Sequence, residues 1–275
     1  MKKILALILA LVMCAFCFAA CDKKDETNEG ESTDASTKKE VLTIGYTLYA
    51  PMNYEENGEL IGFDTEFAKA VCEKIGMEAK FQLIDWGNKY MEVNSGNIDC
   101  IWNGFTFNCA DDDGVQRTDK VDVSYAYMNN EQCVVVKAAD AANYTTAASL
   151  AGKKVSAEDG SAGEGVAKGF IGENGTYIGV TAQMNTLTEL KSGNVDFVVI
   201  DKTMASSIIG KGDYADLAIA DAIEIEAEQY AIGFKKGSEL TAKVNAAIKE
   251  LAADGTLAAL AEKYGLSNYV ITNFD

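Results

Sequence analysis

Arg117 is the single arginine among the 24 basic residues of this 275-residue chain, and histidine is absent. The lack of imidazole removes histidine general-base catalysis, histidine-activated nucleophiles and imidazole metal sites together. What remains is recognition by charge and hydrogen bond. Arginine's rigid fork grips a carboxylate at two points, which a lysine point charge cannot do. A chain that uses arginine once is expected to keep it where that geometry matters, although chance placement on the surface would also account for it. Residues 159–164 read DGSAGE. Ser161 with Glu164 three residues on fits a capping box, so a helix starts there with free backbone N–H groups at its tip. The N–H groups around Ser161 and Ala162 suit a carboxylate, or they form a cap with no ligand. Asp201 offers the opposite charge: it ends an apolar run, where its carboxylate would face a cleft and could hold an ammonium group. Thr106 and the Gly104 carbonyl could accept from the same ammonium. Tyr49 and Trp86 each follow a strand and could wall an apolar side-chain pocket, or belong to the core.

Two similar stretches must position these groups: SGNIDCIWNGFTFN at 95–108 and SGNVDFVVID at 192–201. Each opens on a turn signal and runs into an apolar segment of strand length. The first strand is expected to break at Asn103-Gly104, a dipeptide that seldom continues one. Small polar groups at the carboxyl end of a buried strand are what open α/β sheets use to hold ligands. The repetition predicts two similar lobes sharing one cleft. Asp99 and Asp196, at matching positions, are expected to be structural, and no local signature of a catalytic acid–base pair is present.

The other candidate groups read more plainly. Asp111-Asp112-Asp113-Gly114 lacks the spacing and closing glutamate of a calcium loop and is expected to be a solvated loop. The glycine-rich turn at 159–164 is not a P-loop, because no Lys-Ser/Thr pair follows a closing glycine. Cys72, Cys100, Cys109 and Cys133 are scattered without metal-ligand spacing; Cys72 and Cys100 read as buried free thiols, and a Cys109–Cys133 bridge stays open. No metal or cofactor is expected.

Around these groups the periodicity alternates between strand and helix. Val41–Tyr46 reads as a strand, 56–59 as a hairpin turn, and Phe63, Phe67, Val71 and Ile75 as one helical face, with Asp64 as N-cap and Gly76 as stop. A strand at 80–84 leads to Trp86 and a short helix. Segment 132–137 is strand-like and carries the chain into a second lobe of βαβ character: strands at 153–157 and 176–181, helices near 162–170 and 184–192, then the repeated strand. Segment 230–235 returns to the first lobe, and two helical stripes, at 240–251 and 257–264, close the chain.

Composition bounds the setting. The net charge of −18 disfavours binding to nucleic-acid phosphates. Lys2-Lys3, an apolar stretch to Phe18, and Ala19-Ala20-Cys21 read as a secretory signal over 1–20 with Cys21 as a lipidated first residue. Residues 21–40 carry no large apolar side chain and read as a solvated tether. No later apolar run is long enough to cross a bilayer.

With these residues in place, the chain resembles the extracellular solute-binding proteins of bacterial polar amino acid ABC importers. The motifs that carry the resemblance are IGYTLYAPM, ELIGFDTEFAKAV, SGNIDCIWNGFTF, EDGSAGE, SGNVDFVVID, YAIGFKKGSEL and AADGTLAALAEKYG, in that order across 41–266. The resemblance implies a type II periplasmic-binding-protein-like α/β fold: two lobes, each a mostly parallel sheet flanked by helices, with two crossover strands as hinge. Lobe one would comprise 41–130 with 231–275, and lobe two 131–230. It implies a monomer that closes on a free amino acid and passes it to a membrane permease, without catalysis. By position, Tyr49 would pack over the ligand side chain and Trp86 would touch it. Gly104 and Thr106 would receive the ammonium, Asp201 would be its countercharge, Ser161, Ala162 and Arg117 would hold the α-carboxylate, and Asn103 would be a further ligand-binding residue. Arg117 lies farther beyond Asn108 than the family usually places this arginine, which implies an insertion before it. A sole arginine committed to the α-carboxylate disfavours acidic ligands and leaves neutral polar or cationic ones. The rivals are a small-molecule lyase or dehydratase on the same fold, and a surface lipoprotein with a sensing or adhesive role.

Overall fold

The alternation of strand and helix patterns is realised in the computed structural model, which describes residues 39–274. Strand β1 (Val41–Tyr46) is followed by a hairpin, β2 (Tyr54–Glu56) and β3 (Glu59–Ile61), whose turn holds Asn57 and Gly58 at positive φ. Helix α1 (Phe63–Ile75) stops at Gly76, in the left-handed region. There follow β4 (Glu78–Leu83), α2 (Lys89–Ser95), β5 (Cys100–Thr106), α3 (Arg117–Lys120), β6 (Asp122–Val123) and β7 (Met128–Lys137). The chain continues through β8 (Lys154–Glu158), α4 (Ala162–Ile171), β9 (Thr176–Val180), α5 (Gln183–Ser192), β10 (Phe197–Asp201), α6 (Lys202–Ile208) and β11 (Leu217–Ile219). It ends with β12 (Ala227–Phe234), α7 (Leu240–Ala253) and α8 (Thr256–Lys263).

Strand order is β4-β1-β5-β12-β7-β10-β8-β9, with β6 beside β12 and β11 beside β7. The β4-β1-β5 and β10-β8-β9 groups are parallel, and antiparallel pairing of β12 with β7 joins them. These two long strands are the crossovers expected at 132–137 and 230–235.

The repeated stretches fold alike down to single hydrogen bonds. Gly96 and Gly193 end α2 and α5 in the left-handed region, and the next residues, Asn97 and Asn194, donate back to the Glu92 and Glu189 carbonyls. The Asp99 carboxylate accepts from Thr43 N (2.7 Å) and that of Asp196 from Lys154 N (2.8 Å). Each aspartate fastens its strand to the start of a neighbouring parallel strand, the structural role expected of both.

Two local expectations need correction. β5 does not break at Asn103-Gly104 but runs to Thr106. Gly104 takes φ +57°, and its N–H leaves the ladder to bond the Asp64 carboxylate at 2.8 Å. A Cβ there would fall 2.7 Å from the Tyr49 ring, so the position requires glycine. Asp64 is not the N-cap of α1, a place taken by Gly62. It is fully buried, bonded to Gly104 N and to the Tyr127 hydroxyl (2.9 Å), beneath an aromatic cluster of Phe63, Phe67, Trp102 and Tyr127. The pairing left open between Cys109 and Cys133 is not made: both are free thiols, as Cys72 and Cys100 were expected to be.

Burial raises the Asp64 carboxyl to about 7, against which its hydrogen bonds pull only partly. Between pH 4 and 7 the unfolded chain therefore releases a proton that the folded chain keeps, and stability falls as pH rises. The wild type should lose about 4 kcal/mol over that window from this group, and Asp64→Asn should flatten that part of the slope. Urea denaturation at a series of pH values checks it; equal slopes in both proteins would refute it.

Candidate functional site

The site forms where strand ends β5, β8 and β10 meet the start of α4. Trp86, Asn103, Gly104, Thr106, Arg117, Glu158, Ser161, Ala162, Gln183 and Asp201 enclose a cavity of about 10 Å³, at the threshold for one water. Eight of the nine ligand-binding residues expected from the sequence thus share one closed cleft. Tyr49 does not line it. Its ring lies behind Gly104, and its hydroxyl is held by Thr203 (2.5 Å) and Tyr230 (2.7 Å).

Arg117 is 1% exposed and opens α3. Its Nε donates to Asp111 Oδ1 (2.8 Å), one terminal nitrogen to the Thr106 carbonyl and the other to the Gly160 carbonyl, both at 3.0 Å. A guanidinium carries five N–H donors. Three are used, and one remains on each terminal nitrogen. The run Asp111–Asp113 is therefore more than a solvated loop. Asp111 is the counterion of Arg117 and Lys120, and Asp112 pairs with Lys168 of α4. The chain preceding Arg117 thus folds back onto the arginine and holds it in place.

Facing the guanidinium is the tip of α4. The Ser161 hydroxyl accepts from Glu164 N (3.1 Å), and the Glu164 carboxylate accepts from Gly160 N (2.6 Å), so the capping box is formed. The first-turn N–H groups have no carbonyl within the helix to bond, and the Ser161 hydroxyl proton stays available to an anion.

The anionic side is richer than the sequence suggested. Asp201 is 4% exposed. Its Oδ1 accepts from Asn130 (2.6 Å) and Gln132 (2.7 Å), its Oδ2 from Gln183, and its backbone N–H donates to Gln183 Oε1 (3.0 Å). The same two amides of β7 also meet Glu228 of β12, which accepts as well from the Thr106 hydroxyl at 2.8 Å. Burial and the neighbouring Asp201 charge raise the Glu228 carboxyl to about 7, and burial raises Asp201 against three amide donors. The Asp201 carboxylate is met by these three uncharged amides, with the Tyr230 hydroxyl also beside it. The Thr106 hydroxyl, donating to Glu228, keeps its oxygen free to accept. Asn103 lines the cavity, but its amide is spent on Thr47, Asn53 and the β1–β5 junction.

Asn130, Gln132, Glu158, Gln183 and Glu228 were not singled out from the sequence. The alternation of polar side chains along β7, 128-MNNEQCVVVK-137, was the one available signal for the first two. Polar residues facing a closed side within an otherwise buried strand imply partners there.

Comparison with known proteins places the chain in a family. The profile of bacterial extracellular solute-binding proteins, family 3, matches residues 42–267. The chain is 30% identical over 266 residues to the arginine-binding extracellular protein ArtP of Bacillus subtilis, covering 96% of this chain and 98% of that one. It is 28% identical to the L-cystine-binding protein TcyA of the same organism, over 96% and 97% of the two chains. Among solved structures, the substrate-binding protein AbpA of an amino acid ABC transporter from Streptococcus pneumoniae, bound to L-arginine, superposes with a TM-score of 0.72. Its sequence is 30% identical, with 82% of this chain and 95% of that one covered. The relatives named here are binding proteins. With a matching profile along nearly the whole described chain and the family's two-lobed fold, this protein belongs to the bacterial extracellular solute-binding proteins, family 3.

Proposed function

We propose that this protein binds an extracellular amino acid, neutral polar or cationic, in the cleft between its two halves and delivers it to an ABC importer without transforming it. The observation that carries the reading is the pairing, in one closed cavity, of opposite subsites with spare capacity. Arg117 and the tip of α4 suit an α-carboxylate; Asp201, Gly104 and Thr106 suit an α-ammonium. The cavity of about 10 Å³ is far too small for any amino acid. Ligand therefore enters by separation of the halves, 41–130 with 231–275 and 131–230, about the paired strands β7 and β12. Contacts divided between the halves favour the closed form when ligand is present.

A thermal-shift screen of the chain against the twenty amino acids tests this. Ligand at a hundredfold over its dissociation constant should stabilise the fold by roughly 2.7 kcal/mol. A shift with one amino acid or a few supports the reading, and no shift with any overturns it. Tethering through lipid on Cys21, with the protein held outside the membrane as a monomer, belongs to the same proposal; Cys21 lies outside the described residues. Fatty-acid labelling that marks the wild type and equally marks Cys21→Ser would refute the lipid anchor.

A further inference from the structure

Glu158 lines the same cavity and has no part in holding a zwitterion's two ends. It ends β8, is 3% exposed, and its Oε1 is buried with no hydrogen-bond partner. Asp201, by contrast, is met by three amide groups. An ionised carboxylate withdrawn from water must find a counterion or take up a proton. Burial, and then the Asp201 charge, push Glu158 well above the usual carboxylate range. Lys89 opposes this, but its ammonium bonds the carbonyls of Gly160 (2.7 Å) and Trp86 (3.4 Å), and it is not among the residues lining the cavity.

Position and charge both say what Glu158 could receive. β8 and β10 are adjacent parallel strands in register, Phe197 with Val155 and Val198 with Ser156, so Glu158 and Asp201 sit at neighbouring strand ends. A molecule held by its ammonium at Asp201 would present its remaining substituent within reach of Glu158. Trp86 borders the same space, and its indole already carries the Lys89 ammonium 5.3 Å from the ring centre, an aromatic surface that accepts cations.

We propose that Glu158 determines specificity by pairing with a positively charged group on the ligand side chain, so that the protein selects a basic amino acid over neutral and acidic ones. This rests on the amino-acid reading above. The side-chain subsite is then a carboxylate and an indole, with Arg117 and α4 left to the α-carboxylate.

Isothermal titration calorimetry of the full chain with L-lysine, L-arginine, L-citrulline, L-glutamine and L-glutamate tests it, followed by Glu158→Gln and Glu158→Asp. A basic amino acid should bind tightest to the wild type. Glu158→Gln should weaken it by about 30-fold or more, as expected when one partner of a buried charge pair is lost. Binding of citrulline, which resembles arginine without the charge, should change far less, and Glu158→Asp should recover part of the loss. The wild-type ranking needs no variant, so a poorly folding Glu158→Gln leaves the test intact. Tighter binding of glutamine or glutamate than of either basic amino acid overturns this inference alone. Equal losses for arginine and citrulline in Glu158→Gln also overturn it, since they mark a structural role. No binding by any amino acid overturns the amino-acid reading, and this inference falls with it.

Discussion

Asp201→Asn should lower ligand affinity by about 30-fold to several thousandfold, the range expected when one member of a buried, hydrogen-bonded charge pair is neutralised, while the chain remains folded. The reasoning starts from burial: Asp201 is 4% exposed and its carboxylate is surrounded by the amides of Asn130, Gln132 and Gln183. Those amides fix its orientation and carry no charge, so a ligand cation is the group that would balance the carboxylate. Asparagine supplies neither the charge nor two acceptor oxygens, and its own amide meets three donors. Removing a buried carboxylate also removes a desolvation cost, so the ligand-free variant should melt no more than a few degrees below the wild type. Calorimetry and thermal melting on the same preparation check both halves. An affinity within threefold of the wild type would remove Asp201 from the ligand site.

The second large effect concerns Arg117, where stability and binding are tied together. Arg117→Ala should cost about 3–5 kcal/mol in urea denaturation, as breaking a buried ion pair from one side does. Asp111→Ala should cost less. Alanine at 117 leaves Asp111 half-buried with Lys120 alone, and it cuts the ties to the Thr106 and Gly160 carbonyls that join the end of β5 to the tip of α4. Alanine at 111 leaves the guanidinium still bonded to both carbonyls. A double-mutant cycle on the two residues should show a coupling of about 0.5–3 kcal/mol. Arg117→Lys tests geometry separately from charge: one ammonium cannot serve Asp111 and two carbonyls and still offer a paired grip on a carboxylate. It should bind ligand much less well than the wild type even where its stability is largely kept. If Arg117→Ala loses less than about 1 kcal/mol and binds ligand normally, neither role stands.

Much of this site could be read from local sequence because its parts are strand ends and helix starts. DGSAGE specifies the tip of α4 through a bond spanning three residues, Ser161 to Glu164. The two SGN-x-D stretches each specify a left-handed glycine stop and an aspartate that fastens the next strand. A lone arginine and the end of a repeated apolar run identified Arg117 and Asp201. The misreadings have a common cause. Asn103-Gly104 normally interrupts a strand, but here Asp64, forty positions earlier, takes the N–H that leaves the ladder. Asp64 resembles a cap in its own neighbourhood, yet Gly62 occupies that place and Phe63, Trp102 and Tyr127 bury the carboxylate. An aspartate run looks solvated until the chain returns Arg117 to it.

By itself the sequence determined the order of strands and helices, the two matching halves, the cap that prepares α4 for an anion, and the absence of histidine. Each depends on interactions within a few residues, or on composition. Only the tertiary structure decided which acids are buried together. Asp201 meets Asn130 and Gln132 across separations of 71 and 69 residues, and Glu228 meets Asn130 across 98. No periodicity or spacing rule connects such positions. Desolvation is what distinguishes Glu158, Asp201 and Glu228 from the many surface acids of a chain with 42 of them, and desolvation is a property of packing. The same chemical group is inert in water and selective in a closed cleft, because only there must its charge be answered by the ligand.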